Sequence, residues 1–406
     1  MTSARQETTG IVLIPAAWDA DTPVAGLRPA LRHALALAAA GAARVVFVHP
    51  TAAPFTPPRD ARLGVPAIAC SLDDAMAEVS GSIVAVCAED TYHRALPARV
   101  LASARAARAG SVAAAEGADG RRIVACAAPY GTRAALELLD SDRALPDHAV
   151  RVPLDDQFLV AAATPAERRA SARLHLRSLI KPTSGAFERF YMRPISLRIT
   201  RLLMRTRVTP NAVSWATLAL AFISAGLVAS PSRGAVVAGG LLHMFMRVVD
   251  CVDGELARLR YQGSTFGAWL DTVGDGIGIA AFIAGVTVQV AVVQGHPELL
   301  WVGLLGVAAW LFVQAVQVAA ALTTGAAGTF QVIEWGHRKP TGDRSLVERV
   351  TGSLELLLRI DALSTYYGLA VILGAYRTLL VAHTTLTVLA AGYFGRQLLR
   401  LRAARA

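Results

Sequence analysis

Four aspartates in helical register, inside a stretch apolar enough for a membrane, constrain this chain more than anything else in it. They are Asp250, Asp253, Asp271 and Asp275, in the segment DCVDGELARLRYQGSTFGAWLDTVGD. Ionised carboxylates are costly in hydrocarbon, so four together are expected to meet cations and line a functional cavity. Asp250, Asp253, Gly254, Ala257 and Arg258 fall at i, i+3, i+4, i+7 and i+8, one face of one helix. Gly267, Asp271 and Asp275 repeat the rhythm at i, i+4 and i+8 on a second helix. Two such helices, facing each other, offer four carboxylates to a space that small Gly and Ala residues leave open. Arg258 alone does not neutralise four acids, which argues against a charge-paired hairpin without chemistry. The expectation is a metal cage, and all-oxygen ligands favour Mg²⁺ or Mn²⁺ over zinc.

The apolar weight of the chain is uneven. Residues 1–180 read as a soluble domain of short strands alternating with helices, an α/β domain of three layers with a mostly parallel sheet. Residues 181–208 form a linker. Within it, Phe187, Phe190, Tyr191, Leu197, Ile199, Leu202 and Leu203 interleave with Arg189, Arg193, Arg198, Arg201 and Arg205. That pattern suits an amphipathic helix lying in the membrane interface. Residues 209–406 carry six candidate transmembrane helices, near 212–230, 233–254, 266–292, 298–323, 362–380 and 381–397, each close to the ~20 residues a bilayer needs. Few residues, around Tyr376 and Arg377, are left to turn between the last two. The opening MTSARQETTG is polar, and the first apolar run is too short for a secretory signal.

Basic residues orient these spans. Arg258 and Arg260 follow the second span; Arg338, Lys339, Arg344, Arg349 and Arg359 fill the link between the fourth and fifth; Arg396, Arg400, Arg402 and Arg405 end the chain. The opposite side holds little beyond Arg233 and Arg377. The bias predicts an integral, multi-pass protein with both termini, the head and the acidic site on the cytoplasmic side, in the inner membrane of a prokaryote. A net charge of +10 then reads as attraction to anionic lipid head groups. Nucleic-acid binding would need a basic face with stacking aromatics, and no segment offers one. Cys70, Cys87, Cys126 and Cys251 show neither metal-ligand spacing nor a disulfide pattern, in keeping with a reduced compartment.

The acidic segment spells D-x2-D-G-x2-A-R-x8-G-x3-D-x3-D, and at all eight fixed positions it resembles the CDP-alcohol phosphotransferase family. The resemblance implies an enzyme that moves a substituted phosphate group from a CDP-linked donor, CDP-diacylglycerol or a CDP-alcohol, to an alcohol acceptor, with release of CMP. It implies two divalent ions on Asp250, Asp253 and Asp271, with Asp275 completing the site and serving as the base that takes the acceptor's proton. Gly254, Ala257 and Gly267 would let the nucleotide approach the helices, and Arg258 would contact the diphosphate. Thr209-Pro210-Asn211 matches a Pro-Asn pair of the family, which makes Asn211 a nucleotide contact. A homodimer is implied as well.

Other residues are less determined. Arg247 lies one turn before Asp250 on the same stripe, and either pairs with an acid there or anchors a phosphate of the acceptor or donor. Arg359, Asp361, Tyr366 and Tyr367 could line the same polar cavity. The head, leading into SLIKPTSG, resembles the sugar-phosphate nucleotidyltransferase domain fused to this phosphotransferase in bifunctional synthases of di-myo-inositol phosphate, which points to inositol phosphate as one substrate. A working head needs a Gly-rich loop and a basic residue after its first strand, where this chain has IPAAWDADTP. Glu89 and Asp90 end a strand where such enzymes keep a metal-binding acid and Asp155-Asp156 could supply another, though paired acids at strand ends are also ordinary loop residues. The head therefore reads as degenerate; the competing readings are a bifunctional enzyme that makes its own CDP-alcohol from CTP, and a non-catalytic scaffold or transporter.

Overall fold

The computed structural model describes residues 7–15, 18–49, 55–79, 81–107, 110–128, 132–139, 142–180, 188–324 and 360–403. The chain divides into two compact units, one essentially up to Lys181 and one essentially from Pro182 onward.

In the first unit, β-branched runs become strands. β1 (Thr8–Leu13), β2 (Arg44–His49), β3 (Ala67–Ser71) and β4 (Ser82–Cys87) lie parallel in the order β3-β2-β1-β4. Strands buried on both faces need no polar alternation, hence the near-continuous Val, Ile and Ala. Successive side chains still point to opposite faces. Val12 meets a core with Leu31 and Leu35 of α1 (Pro29–Ala39), and Ile11 meets the opposite core with Ala75 of α2 (Leu72–Glu78). β5 (Asp90–Tyr92) leaves this sheet, and α3 (Leu96–Ala106) returns to cover the α1 side. The sheet continues through β6 (Val112–Glu116), β7 (Arg122–Cys126) and β8 (Val150–Arg151) in the order β4-β7-β6-β8, with β7 antiparallel to both neighbours. α4 (Thr132–Glu137) covers the α2 side. β9 (Leu159–Ala161) pairs with β5 as a separate antiparallel ribbon. α5 (Pro165–Arg177) starts from a capping box of Thr164 and Glu167. The three-layer α/β domain with a mostly parallel sheet is thus the observed architecture.

Two buried histidines make the head acid-sensitive. His33 is in hydrogen-bond contact with the Tyr92 hydroxyl at 2.9 Å and the Ala88 carbonyl at 3.1 Å, and burial pulls its pKa down to about 4. His175, 2.8 Å from the Thr91 hydroxyl, is held well below the ordinary histidine value by burial. A folded pKa below the unfolded one gives stability that is present above about pH 6.5 and is lost as pH falls toward 4. Asp90, pushed up to about 6 by burial, acts in the opposite sense, so a paired comparison is needed. Between pH 7.5 and 4, the wild type is expected to lose up to ~3 kcal/mol more head stability than His33→Gln, which cannot titrate. Hydrogen exchange of α1 and β4 peptides, corrected for intrinsic rates, reads the difference; equal pH profiles would refute it.

The second unit is helical. Its first helix, α6 (Arg193–Leu203), follows a wide helical turn over Glu188–Met192. α7 (Pro210–Val228) begins at Thr209, whose hydroxyl accepts from the Ala212 amide, with Pro210 in the first turn. α8 (Arg233–Arg260), α9 (Thr265–Val288) and α10 (Leu300–Thr324) follow, then α11 (Ile360–Leu373) and α12 (Tyr376–Ala403). Among the described residues, five helices are long and apolar enough to cross a membrane: Pro210–Val228, Arg233–Arg260, Thr265–Val293, Pro297–Leu322 and Tyr376–Arg396. Their outward Trp215, Phe222, Leu241, Trp301 and Leu389 suit a lipid surroundings rather than water, and the protein is integral to the membrane. Of the fifth expected span, 362–380, the described residues show α11, an apolar helix of 14 residues that ends at Leu373. The turn after it is at Gly374 (φ 81°), ahead of Tyr376 and Arg377, which already belong to α12. Arg233 closes the end of α11 by donating to the Val371 and Ile372 carbonyls.

Around the core of Val228, Val236, Phe282, Ile283, Val371 and Leu380, α7 packs along α9, α9 along α10, and α10 along α12. α7 and α9 approach so closely that a Cβ at Gly285 would collide with the Ala225 carbonyl oxygen. This contact holds the helix bearing Asn211 beside the helix bearing Asp271 and Asp275.

Candidate active site

The site is built where α7, α8 and α9 begin or end. Asp250 and Asp253 sit on α8 with Gly254, Ala257 and Arg258; Gly267, Asp271 and Asp275 sit on α9. Ser264 caps α9 by accepting from the Gly267 amide at 3.0 Å, which fixes the register of the acids two and three turns later. Carboxylate oxygens of Asp250, Asp271 and Asp275 lie within 4.8 Å of one another. Three acids at that distance in an apolar helix bundle demand positive charge. Part of it is Arg247, whose Nη1 donates to Asp275 Oδ1 and lies 3.4 Å from Asp250 Oδ2. Arg247 is thus ion-paired with two of the acids.

Asp253 stands apart from that trio. It is 6% exposed, and its Oδ2 accepts from the Ser214 hydroxyl at 2.5 Å while Oδ1 accepts from the Gly254 amide. Ser214, on α7, escaped notice in the sequence; its spacing one turn after Asn211 was the available signal. A cavity of about 210 Å³ opens beside Asp253, lined by Asn211 and Ser214 from α7, Gly254, Ala257 and Arg258 from α8, and Gly267 and Asp271 from α9. A cleft of about 10 Å³, at the lower limit for one water-sized occupant, adjoins it between Ser214, Asp250, Asp271 and Asp275. Ser214 and Asp271 border both spaces. The donor set, three converging carboxylates of which Arg247 bridges two, fits a hard divalent cation.

Other expected residues lie elsewhere. The Tyr367 hydroxyl is 2.7 Å from His383 Nδ1 and ties α11 to α12. Tyr366 is half-buried on α11. Arg359, the side chain of Asp361, the KPTSG run, and Arg338, Lys339, Arg344 and Arg349 lie outside the described residues. In the head, Asp90 is 4% exposed and ion-paired with Arg121, and Asp155 pairs with Arg99 at 2.5 Å. The cysteines are all free thiols.

Residues 207–389 match the family model of CDP-alcohol phosphatidyltransferase. This part of the chain belongs to that family. Similar curated proteins are each described as a bifunctional IPC transferase and DIPP synthase. The one from Thermococcus kodakarensis is 34% identical over 124 residues, 30% of this chain and 27% of the relative. The one from Rubrobacter xylanophilus is 36% identical over 140 residues, 34% of this chain and 31% of the relative. The matches thus span under a third of these relatives. Among solved structures, the phosphatidylinositol phosphate synthase of Mycobacterium tuberculosis with CDP-DAG bound matches with a TM-score of 0.37 and 22% identity, over 51% of this chain and 92% of that one. The phosphatidyltransferase domain as matched begins after α6 and contains all eight motif residues.

Proposed function

We propose that the chain transfers a substituted phosphate group from a CDP-linked donor to an alcohol acceptor and releases CMP. The observation that carries this reading is the convergence of Asp250, Asp271 and Asp275 beside a cavity bounded by Asn211, Gly254, Arg258 and Gly267. Asp250, Asp253, Asp271 and Asp275 would hold two ions, Mg²⁺ or Mn²⁺. Bound there, the metal supplies positive charge to the diphosphate and the departing nucleotide. Arg258 contacts the diphosphate, and Asn211 the nucleotide. Asp275 takes the proton of the acceptor hydroxyl, whose oxygen bonds to the phosphorus distal from cytidine as the bridging oxygen leaves with CMP.

The donor is CDP-diacylglycerol or another CDP-alcohol. The acceptor class leans toward inositol phosphate, from the names of the relatives. We read the head as non-catalytic, since its best-placed acid, Asp90, is buried against Arg121. A sixth span, a homodimer, and a cytoplasmic site with both termini on that side complete the proposal; the arginine distribution supports the orientation. The test offers mixed CDP-donors and alcohols with Mg²⁺ or Mn²⁺ and follows CMP and products by mass spectrometry. Absence of CMP with every pair would defeat the reading.

A glycine supplies a sharper check of the cavity. A Cβ at Gly267 would stand 2.9 Å from Asn211 Oδ1 and 3.1 Å from Ser264 Oγ. Gly267→Val is expected to displace Asn211, fill the nucleotide space and raise the KM for the CDP-donor roughly tenfold or more, about 1.4 kcal/mol. An unchanged KM would remove the nucleotide from this cavity.

A further inference from the structure

One fully buried acid lies outside the phosphotransfer site. Glu255 follows Gly254 on α8, faces away from the cavity, and has no exposed surface. Its Oε1 accepts from Arg193 Nη1 and from the Ser196 hydroxyl, each at 2.6 Å, and its Oε2 accepts from the Thr200 hydroxyl at 2.5 Å. Arg193, Ser196 and Thr200 lie on one face of α6 and are each no more than 4% exposed. Arg193 is also ion-paired with Glu188 at the turn that precedes α6. The opposite face of α6 carries Leu202, 72% exposed, and Phe190 in the turn before it is 80% exposed, as an interfacial helix with apolar side chains toward lipid requires. The polar face is the packed one, and a single carboxylate holds three of its residues.

Two connections make that attachment matter. Six residues after α6 ends, Thr209 caps α7, which carries Asn211 and Ser214. On α8, Glu255 is adjacent to Gly254 and two residues from Asp253, the acid that Ser214 holds. The two walls of the cavity are therefore tied twice, directly through Ser214 and Asp253 and indirectly through Glu255 and α6. α6 lies wholly before residue 207, outside the stretch matched to the family.

We propose that Glu255 is a positioning residue. It docks the interfacial helix α6 onto α8 and thereby sets the start of α7, with Asn211 and Ser214, against Asp253 and Gly254. The proposal rests on the phosphotransfer reading for its effect on turnover, but the docking itself does not.

The experiment uses the full chain in detergent or vesicles, with Glu255→Ala, Glu255→Gln and the pair Ser196→Ala with Thr200→Val. Hydrogen exchange over residues 193–216 reads the docking without substrate. Exchange is expected to rise at least about tenfold in Glu255→Ala and to stay within about threefold of wild type in Glu255→Gln. The Gln carbonyl still accepts from Arg193 and Ser196, and its amide can donate to Thr200. With CDP-diacylglycerol or the donor found active, Glu255→Ala is expected to raise KM about tenfold or more with kcat changed less than threefold. A purely structural role would instead reduce the active fraction, lowering kcat at constant KM. The Ser196/Thr200 pair should fall between Glu255→Ala and wild type in both readouts. Unchanged exchange in Glu255→Ala overturns the docking, and loosened exchange with an unmoved KM overturns the positioning role. A wild type that releases no CMP, while Glu255→Ala still loosens 193–216, refutes the phosphotransfer reading and leaves the docking standing.

Discussion

Asp271→Ala is expected to lower metal-dependent CMP release roughly 10³-fold or more. Asp271 is the acid bordering both the small cleft and the larger cavity, so it is shared between the space that suits an ion and the space that suits a nucleotide. Its removal leaves only Asp250 and Asp275, both already engaged by Arg247, and so takes away the one carboxylate of the trio that the guanidinium does not bridge. The loss should therefore appear without turnover as well. A ligand that binds only the folded state at 100 times its Kd stabilises by about 2.7 kcal/mol. Millimolar Mn²⁺ or Mg²⁺ should accordingly raise the melting temperature of the wild type and leave that of Asp271→Ala nearly unchanged. Asp271→Asn, which preserves shape but removes charge, should resemble Ala in both measurements. If either variant kept wild-type turnover and a full metal-induced shift, the acid trio would not be the metal site.

The acids were legible because helical period is a one-dimensional property. Spacings of three and four residues put Asp250 with Gly254 and Asp271 with Asp275 whatever the rest of the chain does. Relations between helices are not of that kind. Ser214 gains its role only because α7 brings its hydroxyl to Asp253 on α8. Asp253 shares the acidic stripe in sequence, yet its oxygens accept from Ser214 and Gly254 and it is not one of the converging trio, and no spacing carries that information. Hydropathy likewise found the apolar run after Ala362 but not its interruption by Gly374, because a left-handed glycine costs nothing in composition. In the head, the β-branched runs gave the parallel half of the sheet. The antiparallel β7 and the β5–β9 ribbon depend on tertiary pairing, and strand propensity is silent about direction. Glu255 stood in plain view in DGELAR. Only the apposition of α6 tells it apart from a solvated acid at the end of a span.

Arg247→Leu is the second substitution of large effect, and it separates two roles for one guanidinium. Arg247 is 8% exposed and bridges Asp250 and Asp275 from one turn before the motif. Leucine keeps apolar volume but strands two carboxylates in an apolar bundle; breaking a buried pair in this way costs about 3–5 kcal/mol. The metal-free protein should melt at a markedly lower temperature, and Mg²⁺ or Mn²⁺ should recover part of the loss by supplying the missing charge to the same oxygens. The metal-induced shift in Arg247→Leu should therefore exceed that of the wild type, the reverse of Asp271→Ala. Arg247→Lys should fall between, since a single ammonium on a flexible stem cannot hold two carboxylates with the fixed fork of a guanidinium. Were Arg247 instead chiefly an anchor for a phosphate on the acceptor, Arg247→Leu would keep its metal-free stability and raise the KM for a phosphorylated alcohol alone. Melting with and without metal, beside KM for phosphorylated and unphosphorylated acceptors, tells the two apart, because only the ion pair makes stability depend on Arg247 before any substrate is present.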